Sequence, residues 1–153
     1  MWPDEPVARL VTESFLPARV HAKTQAEDFQ RFGDRYGASW TPTVLMLDPD
    51  GVERHRIEGF LPSAEFLAQL TLGLGHLAFH AKRFADAERR YRDVIAQFPT
   101  TEGAPEAQYW AGVSRYKATG DAGALAETSR AFDQRYGHTI WAQKASVWKA
   151  PAS

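Results

Sequence analysis

The chain has no cysteine at all. That absence removes thiolate nucleophiles, CxxC redox pairs, disulfides and Cys-ligated zinc from its chemistry. It also lacks any apolar run approaching the ~18 residues that mark a membrane span. Neither sign of charge is in excess: 18 Lys and Arg against 19 Asp and Glu leave a net charge of −1. No overall field therefore draws in nucleic acid or anionic lipid, and neither is an expected partner. No basic segment followed by an apolar stretch opens the chain, so no secretory signal is read and the cytoplasm is the expected compartment. What is present is ordinary for a folded protein: 153 residues, 44% hydrophobic and 24% charged, with five Trp, five Tyr and nine Phe to build a core. At about 100–200 residues per domain, the length allows one domain or two small ones.

The two halves read differently. Val7, Leu10, Val11 and Phe15 recur at helical spacing, so a helix is expected from Asp4 to Ser14, with Pro6 in its first turn and acidic residues at its positive end. Ala18, Val20 and Ala22 alternate with Arg19, His21 and Lys23, a period of two that predicts a strand. Phe29, Phe32 and Tyr36 return to helical steps from about Gln25, and Gly37 is a natural stop. The run Val44-Leu45-Met46-Leu47 after Trp40-Thr41-Pro42-Thr43 predicts a strand buried on both faces. Asp48-Pro49-Asp50-Gly51 is a turn, because Pro fixes φ and Gly accepts positive φ. Glu53 to Glu58 is the returning antiparallel strand, ended by Gly59, and Pro62-Ser63 opens the next helix.

Beyond about residue 62 every segment reads helical. Leu74-Gly75 to Phe98-Pro99 and Ala111-Gly112 to Tyr136-Gly137 form a near-repeat offset by 37 or 38 positions, each a helix, a short turn and a helix. Phe84, Ala87, Tyr91, Val94, Ile95 and Phe98 share one helix face, and the small residues Gly75 and Ala87 suit close helix approach. A last helix is expected over Ile140 to Lys149. Such hairpins bury their faces by stacking.

Tyr36-Gly37, Trp40-Thr41-Pro42-Thr43, the apolar strand, Asp50-Gly51 and Gly59 together resemble the C-terminal part of a thioredoxin fold, over about Asp4 to Leu70. Gly75, Ala87, Tyr91 and Pro99 resemble tetratricopeptide-like hairpins, although Thr71 stands where that consensus has Trp. The resemblance implies an α/β fold followed by an all-α one. The first is a thioredoxin-like domain over 1–70 that lacks the family's N-terminal strand and dithiol. The second is a tetratricopeptide-like helical extension over 71–153, with the helix at Pro62 to Ala81 shared between the two cores. In the family a strand and a CxxC motif precede the first helix found here, so either the redox half was lost or the start is truncated. The absent strand would lie between Ala18–Ala22 and Thr43–Leu47, leaving open edges.

The resemblance also nominates a site. Pro42 matches the family's cis-proline, whose loop holds an extended peptide by strand addition, so Trp40, Thr41, Pro42 and Thr43 are the candidate peptide-binding residues. The competing reading is a purely structural turn. Trp40 is an anchor if exposed and packs under the sheet if buried, and burial is the expectation. No catalytic residue, metal or cofactor is assigned. His76 and His80 stand four apart on a helix, but two ligands make no site. Asp48, Asp50 and Glu53 lack the EF-hand pattern and read as a hairpin. Lys82, Arg83, Arg89, Arg90 and Arg92 interleave with Asp86, Glu88 and Asp93, in pairs such as Asp86 with Arg90, as a solvated helix face does. The aromatics Tyr91, Phe98, Tyr109, Trp110, Tyr116, Phe132, Tyr136, Trp141 and Trp148 are expected between helices, the alternative being a concave peptide groove.

Three functions remain open: a non-catalytic protein- or peptide-interaction module, a thiol-disulfide oxidoreductase whose CxxC segment is missing, or a structural subunit that completes its sheet with another chain. Because Val44 to Leu47 should not end as a bare edge, a homodimer through that edge is expected.

Overall fold

The computed structural model describes residues 4–149. The chain forms two compact units, Met1–Leu67 and Ala68–Ser153. The first contains α1 (Glu5–Ser14), α2 (Ala26–Tyr36), β1 (Thr43–Leu47) and β2 (Glu53–Glu58). α3 (Ser63–His80) begins in the first unit and continues into the second. There it is followed by α4 (Phe84–Gln97), α5 (Gly103–Thr119), α6 (Gly123–Gln134), α7 (Ile140–Ala145) and a 3-10 turn over Ser146–Trp148.

Asp4 caps α1, its carboxylate accepting the Val7 N–H at 3.4 Å, and Val7 and Val11 are the residues this helix buries. Gly37 ends α2 at φ 63°, the left-handed conformation that an L side chain resists. β1 and β2 form a two-stranded antiparallel sheet with Thr43 opposite Glu58, Val44 opposite Ile57 and Leu45 opposite Arg56. The connecting turn is built around Asp48. Its Oδ1 accepts the N–H groups of Asp50 at 2.9 Å and Val52 at 3.0 Å, and its Oδ2 takes the Arg54 Nε–H at 2.8 Å. The Val52 N–H, with Asp50 and Arg54, holds the Asp48 carboxyl below its ordinary range. α2 is tied to the hairpin at two points. Tyr36 Oη donates to the Gly51 carbonyl at 2.8 Å, and Arg56 donates to the carbonyls of Tyr36 and Gly37, the negative end of the helix.

Two expectations for this unit are corrected. Ala18–Ala22 is not a strand: residues 15–21 have no regular structure and 22–24 form a turn. Alternation makes a strand only where a ladder receives its backbone groups, and among the described residues none stands beside this segment. Instead His21 closes a local turn, its N–H bonding Gln25 Oε1 at 2.9 Å and its Nδ1 accepting the Lys23 N–H at 3.2 Å. Nor is β1 buried on both faces. Met46 is buried, but Val44 and Leu45 are half-buried and Leu47 is 37% exposed. Two-sided burial needs cover on both faces. The expected helix from about Gln25 is present as α2, which buries none of its aromatics completely and leaves Phe32 at the surface.

The second unit is helical throughout. Its core is Ala68, Leu72, Ala78, Ala87, Tyr91, Val94, Ala107 and Ala111, with Phe79, Ile95, Phe98 and Trp110 packed around them. Small residues dominate because the helices approach closely. A Cβ added at Gly75 would overlap the Tyr91 ring, and one at Gly112 would overlap Thr128. A short connection joins α3 to α4 and another joins α5 to α6, where Gly120 at φ 73° turns the chain. α7 is shorter than expected and tightens into the 3-10 turn, where Trp148 stacks on Tyr109 at 4.8 Å.

Candidate functional site

The nominated residues fall at the open end of the hairpin. The Thr41–Pro42 peptide bond is cis. The Pro42 carbonyl accepts the Gly59 N–H at 2.8 Å, and the Thr43 hydroxyl donates to the Trp40 carbonyl at 2.7 Å. Trp40 is 68% exposed, which corrects the expectation that it packs under the sheet. The reason is local: the Pro42–Gly59 bond is the last rung of the hairpin, so Trp40 lies beyond the sheet rather than under it. Phe60, one residue past Gly59 on the other arm of the hairpin, is 83% exposed. Sequence reasoning missed Phe60. Its signal was its place, a large aromatic directly after a strand-ending glycine.

The Pro42–Gly59 bond also sets which backbone groups are free. Bonded and non-bonded pairs alternate in an antiparallel ladder. Val44–Ile57 and Met46–His55 are therefore bonded pairs, and Thr43 and Leu45 turn their N–H and C=O groups away from β2. The sheet has two strands, so this outer side of β1 meets no strand among the described residues. β1 carries no charge, whereas five of the six residues of β2 are Glu53, Arg54, His55, Arg56 and Glu58. Arg56 there pairs with Glu53 at 2.7 Å and Glu58 at 3.0 Å, and these two carboxylates, Glu53 first, hold its guanidinium above its ordinary range.

The helical unit contains a polar chain that the sequence hid. His76 reaches beyond its own helix. Its Nδ1 lies 2.8 Å from the Tyr91 hydroxyl and its Nε2 lies 3.2 Å from Glu106 Oε1. With Tyr91 donating to Nδ1, Nε2 carries the proton and donates to Glu106, so both ring nitrogens are satisfied. The His76 ring also sits edge-on to Tyr91 and Trp110, and His80 turns toward Phe79. Among the described residues no three His, Asp or Glu side chains converge as metal ligands. Three of the basic residues at α4 are paired locally, although not as expected: Asp86 binds Arg83 and Arg89 rather than Arg90, and Arg92 binds Glu88. An open groove of about 320 Å³ is lined by Arg92, Ile95, Ala96, Pro99 and Arg135. No aromatic lines it, so the aromatic peptide groove considered for this half is not formed there.

Residues 1–73 match the family model of a thioredoxin-like domain. The match covers the cis-proline loop, both strands and the start of α3. No curated protein and no solved structure matches the chain. No described helix is long and apolar enough to cross a membrane.

Proposed function

We propose that this chain is a non-catalytic protein- or peptide-interaction module of the thioredoxin superfamily, with Trp40, Thr41, Pro42 and Thr43 in the contact surface. The observation that carries the reading is the pairing of two exposed aromatics, Trp40 and Phe60, with an uncharged strand edge beside which no second strand stands among the described residues. Backbone groups of Thr43 and Leu45 supply the hydrogen bonds of strand addition, and the aromatics supply apolar anchorage. Thiol chemistry is outside this chain's reach, because the attacking species is a thiolate and there is no cysteine. Residues 71–153 act in this reading as a tetratricopeptide-like extension, supported by the hairpin order and the close approach at Gly75.

The test uses the chain tethered sparsely to a surface and a reduced, alkylated, permanently unfolded polypeptide in solution. Binding is expected, and Trp40→Ala or Phe60→Ala weakens it about tenfold or more, since an interface anchor is worth ~2 kcal/mol and 1.4 kcal/mol is a factor of ten. Absence of binding, or equal binding by all three proteins, sinks the reading.

A further inference from the structure

We infer that the partner of the β1 edge is a second copy of this chain, paired β1 to β1 and antiparallel across a two-fold axis. The inference rests on the interaction-module reading and names its partner.

Four observations meet here. The first is the choice of edge. β2 is defended by charge, and its outward positions Arg56 and Glu58 are ionic. β1 has none of the charges or prolines within Thr43–Leu47 that keep an edge from pairing. The second is the hydrogen-bond count. With Thr43 of one copy opposite Leu45 of the other, every outward N–H and C=O of these residues finds a partner in a self-reciprocal set. The third is where the exposed apolar side chains lie. Trp40 and Phe60 sit at the open end of the hairpin, and Leu47 and Val52, 37% and 45% exposed, sit at the turn end. Antiparallel pairing brings the Trp40 end of each β1 beside the Leu47 end of the other, with Phe60 and Val52 carried at the ends of the flanking β2 strands. The fourth is electrostatic. An uncharged strand meets its own copy with no like charges opposed. The product is a four-stranded sheet, which passes the three-strand size at which sheets become independently stable.

The experiment is light scattering on the full chain across a concentration series, joined to hydrogen exchange read at individual amides. Expected is a mass of twice 17.1 kDa at the upper concentrations, with the Thr43 and Leu45 amides becoming protected in step with the mass. Trp40→Lys, a change at an exposed position, should return the mass to that of one chain and restore fast exchange at both amides, with an unchanged circular dichroism spectrum. Leu47→Lys should do the same from the other end. A single-chain mass throughout, or a dimer in which Thr43 and Leu45 exchange freely, overturns the inference. So does a dimer that survives both lysine variants. In any of these cases, Trp40-dependent binding of the unfolded polypeptide by the tethered chain would leave the interaction-module reading standing.

Discussion

Tyr91 shows how one side chain can be legible in type and illegible in role. Its position on the apolar stripe of α4 predicts burial, and it is fully buried. The stripe does not reveal that its hydroxyl meets His76 and, through it, Glu106. Burial, then the Glu106 carboxylate, push the phenol well above its ordinary value of 10.0. Unfolded, the phenol ionises near pH 10; folded, it keeps its proton. Above pH 10 the unfolded state therefore binds fewer protons. Stability from this group is complete below that pH and falls by about 1.4 kcal/mol per pH unit above it. Tyr136, also raised by burial, adds to the slope. Tyr91→Phe should remove one proton's share of this alkaline slope in urea unfolding at stepped pH. At neutral pH it should cost about 1–3 kcal/mol, because the donor facing His76 Nδ1 is gone. An unchanged slope would mean that Tyr91 ionises in the folded protein.

At the scale of elements, the helices were the easier part to read. Caps and periodicity are local, and Asp4, Gly37 and Gly120 end their helices where their chemistry says they should. Packing between elements depends on small residues in pairs. Gly75 lies against the Tyr91 ring, so Gly75→Ala should destabilise by about 1–3 kcal/mol despite raising helix propensity. Thermal unfolding of the variant checks this, and a rise in stability would place the ring elsewhere. The strands were harder. Among the described residues Ala18–Ala22 has strand periodicity and no ladder, whereas Thr43–Leu47 has one partner strand and no second. Periodicity says which way side chains alternate; it does not say that a neighbour exists to receive the backbone.

Taken whole, the molecule joins a thioredoxin-like region to a helical unit without the group that makes thioredoxins reactive. The chain should show no dithiol reductase activity: in insulin reduction with dithiothreitol, turnover should equal the reagent blank, and any excess would require a chemistry other than thiolate attack. This much follows from composition, because a missing functional group needs no fold to be missing. The sequence also determined, by local rules, the helix ends, the Asp48–Gly51 hairpin and the apolar stripe carrying Tyr91. Only the tertiary structure decided that Trp40 stands out in solvent with Phe60, that the outward groups of Thr43 and Leu45 meet no strand among the described residues, and that His76 joins Tyr91 to Glu106. Each of these is a relation between residues 15 or more positions apart or between a segment and its neighbour in space, and no spacing along one chain encodes what lies beside it.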